Sequence, residues 1–183
     1  MTKFLKKTIQ SLVILSLVFA VSCKKEKENP LAIGMKYQGG IIAYIDATGE
    51  HGLIAASEDQ SEGIAWDYNN YNDFVATDAT GTAIGTGQSN TTKIVAALGA
   101  GNYAAKICND LVLNGYDDWF LPSTDELILL YQNRDLIGGF NSGTYWSSTE
   151  DTESHAYNHW FTYNIPQSGD KYGKLGVRAI RAF

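Results

Sequence analysis

Two hydrophobic patterns divide the chain. Near the start, Lys3, Lys6 and Lys7 precede an apolar run from Leu12 to Val21 that only Ser16 interrupts. A run of about ten residues is half of what a helix needs to cross roughly 30 Å of hydrocarbon. With its basic start and the small residues Ala20, Val21 and Ser22 before Cys23, it has the form of a secretory signal peptide over residues 1–22. The next stretch, Lys24-Lys25-Glu26-Lys27-Glu28-Asn29-Pro30, has no apolar side chain, so residues 23–33 are expected to form a disordered tether. The pattern of a packed domain begins at Gly34 and continues to Phe183.

Within that domain, period-two runs come first. Ile41-Ile42-Ala43-Tyr44-Ile45-Asp46, a turn at Thr48-Gly49-Glu50, and the return His51-Gly52-Leu53-Ile54-Ala55-Ala56 predict a β-hairpin. Ile64-Ala65-Trp66 predicts a short strand, and Gly81 to Gly87 a flexible loop. Helical spacing follows. Asn90 or Thr91 can cap a helix over Lys93 to Leu98, and Asn102 can cap a second over Tyr103 to Leu113. A third starts at Pro122-Ser123-Thr124-Asp125-Glu126, where Ser123 and Glu126 have capping-box spacing ahead of Leu127, Leu130 and Tyr131. The remainder reads as β: Tyr145 to Thr149, Ala156 to Tyr163, and Val177 to Phe183. In the last of these neither face is cleanly apolar, so alternation does not assign its buried side. Strands, then helices, then strands predict an α+β domain with helices packed on an antiparallel sheet.

Charge narrows the partners. The chain has 14 Lys/Arg and 20 Asp/Glu, of which six and two precede Leu31; the domain therefore keeps eight and eighteen, a net of −10. An acidic domain without a basic patch argues against nucleic acid, anionic lipid and sulfated glycans. Of the two cysteines, Cys108 alone lies in the domain, so no intradomain disulfide can form. Its spacing within Tyr103 to Leu111 is that of a buried helix position.

Two resemblances add to this. Ala20-Val21-Ser22-Cys23 resembles the lipobox of bacterial lipoproteins, with Ala20 where Leu is most frequent. That implies lipidation of Cys23 and attachment to a membrane through its acyl chains. The Lys/Glu tether is similar to those of surface-exported lipoproteins of the Bacteroidota, which implies the cell outer membrane. In the domain, Asp118-Trp119-Phe120-Leu121-Pro122-Ser123-Thr124-Asp125-Glu126-Leu127, Tyr145-Trp146-Ser147-Ser148-Thr149-Glu150 and Val177-Arg178-Ala179-Ile180-Arg181-Ala182-Phe183 resemble the signatures of the Lcl C-terminal domain family. Gly39-Gly40-Ile41-Ile42-Ala43-Tyr44 and His51-Gly52-Leu53 are similar too, so the likeness runs over residues 34–183. It implies a C-type lectin-like fold: a twisted antiparallel sheet, two or three flanking helices, and long loops able to carry a ligand site. The collagen-like segment of the family's namesake adhesin is absent from this sequence.

The candidate chemistry favours recognition. His155 and His159 have HxxxH spacing, but along a strand four residues span roughly 13 Å, too far for one metal ion. Asp67 to Asp73 has oxygen ligands without the glycine and terminal Glu of an EF-hand; an irregular calcium site remains the alternative there. The Gly81–Gly87 run lacks the Lys-Ser/Thr of a phosphate loop, and Gly-x-Ser-x-Gly is absent. No catalytic residue is assigned. Trp66, Tyr68, Tyr71, Trp146, Tyr157 and Trp160, with Glu150, His155 and His159 nearby, offer aromatic faces beside polar groups, a pattern suited to a glycan or polypeptide. At least half of those rings are expected to be core. The sequence thus points to a non-catalytic binding or adhesion domain on an envelope-anchored lipoprotein. The alternatives are a structural envelope module packing against a partner protein, and a degenerate enzyme.

Overall fold

A computed structural model describes residues 30–68 and 73–183, so residues 1–22, expected to be a signal peptide, Cys23 and Tyr71 lie outside the described residues. The order of elements is β1 (Lys36–Tyr37), β2 (Gly40–Ile45), β3 (Gly52–Ala55), β4 (Ser61–Ile64), α1 (Gly87–Leu98), α2 (Ala104–Asn109), α3 (Thr124–Gln132), α4 (Arg134–Ile137), β5 (Thr144–Glu150), β6 (His155–Trp160), β7 (Ile165–Asp170), β8 (Leu175–Val177) and β9 (Ile180–Ala182). This is an α+β architecture. The strands make two sheets rather than one: an antiparallel β1-β2-β3-β9, and β4-β8-β5-β6-β7, antiparallel except where β5 meets β8.

The C-terminal segment explains both the second sheet and the missing alternation. Val177 to Phe183 is two strands, β8 in one sheet and β9 in the other, parted at Arg178-Ala179. At that crossing Arg178 is fully buried; it donates to Asp59 (2.9 Å from Nε), to the carbonyls of Ala56 (3.0 Å) and Gly138 (3.1 Å), and to that of Gly139. Its guanidinium lies 4.1 Å from the centre of the Phe140 ring. A charge this deeply placed is tolerated because its donors are matched. Arg181, on β9, pairs with Asp118 at 2.6 Å.

The hairpin of β2 and β3 forms as expected. Asp46 Oδ1 accepts from Thr48 N at 3.0 Å and Gly49 N at 3.1 Å, and Gly49 sits at φ 78°, where a side chain would be strained. The short strand is displaced: it covers Ser61–Ile64 and leaves Trp66 just beyond it.

Helix starts show where cap-type residues mislead. α3 has the capping box: Ser123 N donates to Glu126 Oε2 at 2.7 Å and Glu126 N to Ser123 Oγ at 3.4 Å. α1, however, begins at Gly87, six residues before the position expected from Asn90 and Thr91. Both lie inside the helix and are buried. Asn90 clamps Gly81, donating to its carbonyl at 2.6 Å and accepting its N–H at 3.2 Å, while Thr91 Oγ1 accepts from Leu121 N at 3.0 Å. α2 is shorter than expected: Tyr103 takes the cap position and the helix ends at Asn109. The Gly81–Gly87 segment is tied in place by these bonds and by Gly85 N donating to Glu126 Oε1 at 2.7 Å, which corrects the expectation of a flexible loop.

The apolar interior has two parts. One gathers Trp66, Tyr103, Trp119 and Trp146 with Ile54, Ile94 and Cys108; the other gathers Tyr145, Phe161, Leu127 and Leu130 with Phe120 and Ile180. Cys108 is buried, and that burial pushes its thiol well above the usual range, so it is inert filler. No helix among the described residues is long and apolar enough to cross a membrane.

Candidate functional site

The site is built on the face of the second sheet. Residues opposed across an antiparallel ladder point the same way, and two rungs define the surface: Trp146–Asn158–Gln167 and Thr144–Trp160–Ile165. Around them opens a groove of about 280 Å³, to which the β7–β8 turn contributes Tyr172 and Gly173. Trp146 is its floor, 1% exposed and held by its Nε1 donating to Ile64 O at 2.9 Å. Trp160 is 37% exposed and is fixed by Tyr163, whose ring meets it edge-on at 4.6 Å. Tyr172 is 47% exposed, stacks on Phe74 at 6.4 Å, and donates to Asp170 Oδ2 at 3.1 Å.

Asn158 is the unusual member. It is 2% exposed, lines the groove, and its Oδ1 is buried without a hydrogen-bond partner. An unmatched buried acceptor costs about 1–3 kcal/mol, so a site that keeps one calls for an explanation. Space for the amide comes from Gly169: a Cβ there would come within 2.9 Å of Asn158 Nδ2. Opposite Tyr157, the Ser147-Ser148-Thr149 run bulges β5 between Trp146 and Glu150. Its hydroxyls satisfy backbone groups: Ser147 Oγ donates to Tyr157 O and Thr149 Oγ1 to Gly81 O, each at 2.8 Å.

Of the residues singled out from the sequence, Trp146 and Trp160 come together here; the others do not. Trp66 is fully buried, its Nε1 bonded to Ser147 O at 2.8 Å. Glu150 is an internal carboxylate paired with Lys171 at 2.5 Å, and it accepts from the backbone of Thr77 and Asp78. Lys171 also donates to Glu153 O at 2.7 Å and sits 4.5 Å from the Trp66 ring. His159 is on the opposite face of β6 from Asn158 and Trp160, buried among Tyr131 and Phe161. Its Nε2 meets Asn164 Oδ1 at 3.2 Å, and burial lowers its pKa against the pull of that bond. These three are structural, which corrects their place in a binding set. His155 shares the face of His159 but is partly exposed, between Asp170 (3.1 Å) and Ser154 Oγ (2.9 Å). Tyr157 also points away from the groove, and its hydrogen bond to Asp151 raises its pKa. Tyr68 stacks on Tyr103 at 5.5 Å and donates to Leu98 O at 3.0 Å, outside the groove. Tyr71 and most of the calcium-like segment lie outside the described residues.

Sequence reasoning missed Asn158, Gln167 and Tyr172. Their signal depends on β7, whose Ile165-Pro166-Gln167-Ser168-Gly169-Asp170 reads as a loop because of its Pro and Gly. Without that strand there is no register to align Gln167 with Asn158. Among the described residues no three His, Cys, Asp or Glu side chains are grouped to hold a metal ion. No family model matches this sequence, and no curated protein matches it.

Proposed function

We propose that this protein is an envelope-anchored lipoprotein whose domain binds a ligand, glycan or polypeptide, without catalysis, in the groove between Trp146, Asn158, Trp160 and Tyr172. The observation that carries the reading is the make-up of the groove: the buried side chain of Asn158 lines it together with Trp146, Trp160 and Tyr172. Small-ligand sites combine apolar walls with few, placed polar groups in this way. The anchor rests on the basic start, the short apolar run and the small residues before Cys23. Two or three acyl chains there would hold the protein on the membrane, where one alone is marginal. The Lys/Glu tether favours the outer membrane, with the domain reaching away from it. The motif likeness supports kinship with the Lcl C-terminal domain and a C-type lectin-like arrangement; α+β layering with two sheets is compatible with both.

An array of glycans and polypeptides, probed with wild type and Trp160→Ala side by side, tests the reading. Specific ligands for the wild type that are lost in the variant support it, and an array blank for both contradicts it. A second reading, an envelope module packed against a partner protein, draws on the exposed Tyr163 and Ile165 beside Trp160. Co-purification of a stoichiometric partner, lost on Tyr163→Ser with Ile165→Thr, would favour it.

A further inference from the structure

Resting on the groove as the ligand site, we infer that its ligand is an uncharged carbohydrate, with a sugar ring lying on Trp160 and its hydroxyls meeting the side-chain amides of Asn158 and Gln167. Four features select this class. First, the side-chain amide of Asn158 lines the groove, and a sugar hydroxyl, which both donates and accepts, can meet an amide.

Second, among the described residues the groove lining contains no Lys or Arg, and its ionisable carboxyl group is Asp170. That group is already engaged by His155 and Tyr172. Within a domain of net charge −10, an anionic ligand meets repulsion with no compensating cation. An uncharged one meets neither obstacle.

Third, the site is on the face of the sheet and not on its edge. The backbone groups of β6 beneath it are spent on β5 and β7. A peptide lying on this face therefore finds no ladder to join, since the unpaired backbone groups of the edge strand β7 lie in the plane of the sheet, which removes the main-chain term of strand-addition binding at the groove. What the face offers is ring surface with amides between: Trp160 and Tyr172 exposed, Asn158 and Gln167 opposed on one rung. The CH-bearing face of a pyranose packs on an aromatic ring while its rim of hydroxyls meets side-chain amides.

Fourth, the volume of about 280 Å³ is near the lower bound of small-ligand sites, so it holds a short stretch of a chain and leaves the remainder in solvent.

The test uses the full-length chain in detergent, titrated by calorimetry and by tryptophan fluorescence with three sets of probes. These are dextran, laminarin, xylan and mannan fragments; heparin and polygalacturonate fragments; and a mixed-sequence peptide library. The expected result is saturable binding of at least one uncharged oligosaccharide, with affinity falling about tenfold or more in Trp160→Ala and in Asn158→Leu. Trp160 is surface-exposed, so its alanine variant keeps the fold, and circular dichroism verifies it. Binding confined to the acidic fragments or to peptides, and lost in the same two variants, overturns the carbohydrate class while leaving the groove as the site. Binding of any probe that neither variant weakens, or no binding of any probe, overturns the groove itself.

Discussion

Asn158 stands directly opposite Trp146 on neighbouring strands, and the two have contrary fates: the indole N–H is bonded to Ile64 O, while the amide oxygen is buried and unmatched. The fold thus satisfies the polar atom of the larger residue and leaves the oxygen of the smaller one buried and unmatched. A pair so placed separates a structural role from a binding one on a single rung.

Replacing Asn158 with Leu, close in shape and without polar atoms, should therefore stabilise the empty protein. The expected gain is about 1 kcal/mol, the lower part of the penalty for a buried unmet acceptor. Urea denaturation of wild type and variant measures it. A loss of stability would mean that the amide has a structural partner.

Lys171 and Glu150 should behave in the opposite way. Both are buried, and each is bonded to backbone groups as well as to the other. Lys171→Met leaves the carboxylate buried without its cation and should cost about 3–5 kcal/mol. Adding Glu150→Gln should recover part of that loss. Denaturation midpoints of the two single variants and the double variant form the cycle that reads the coupling.

His159 gives the domain a pH dependence of definite sign. Burial holds its folded pKa below the ordinary value of about 6.5. Between the two values the unfolded chain binds the proton and the folded one does not. Stability is thus complete above about pH 6.5 and falls as pH drops through the folded value. His159→Phe should flatten the stability profile in that window. The depressed carboxyl of Asp118, held low by Arg181, loses its contribution only at more acidic pH, below its ordinary range. A profile unchanged by His159→Phe would show that another group is responsible.

The anchor has its own test. Growth of an expressing bacterium with a fatty-acid analogue should label the wild-type chain and leave Cys23→Ser unlabelled. The wild type should also sediment with membranes. An unlabelled wild type recovered from the soluble fraction would contradict lipidation of Cys23.

Local signals were legible where one stretch of chain settles the matter. The β2–β3 hairpin and the Ser123–Glu126 capping box need only nearby residues, and both are found. Asn90 and Thr91 show the limit: their side chains bond Gly81 and Leu121, distant partners that local propensity does not contain. The Val177–Phe183 segment shows another, since a run that changes sheets at Arg178 has no single alternating face to read. The site was half visible. Trp146 and Trp160 stood out by residue type, but Glu150 and His159 are equally conspicuous and prove to be interior. Only the register of β5, β6 and β7 tells a groove residue from its neighbour one step along the strand.

The most direct measurement follows the indole and side-chain amide resonances of a nitrogen-labelled sample while an uncharged oligosaccharide is added. The account expects the Trp160 indole and the Asn158 and Gln167 amides to shift together and saturate, with Trp66 unmoved. Saturating shifts at the Trp66 or Trp119 indole, with Trp160 and Asn158 silent, would contradict it.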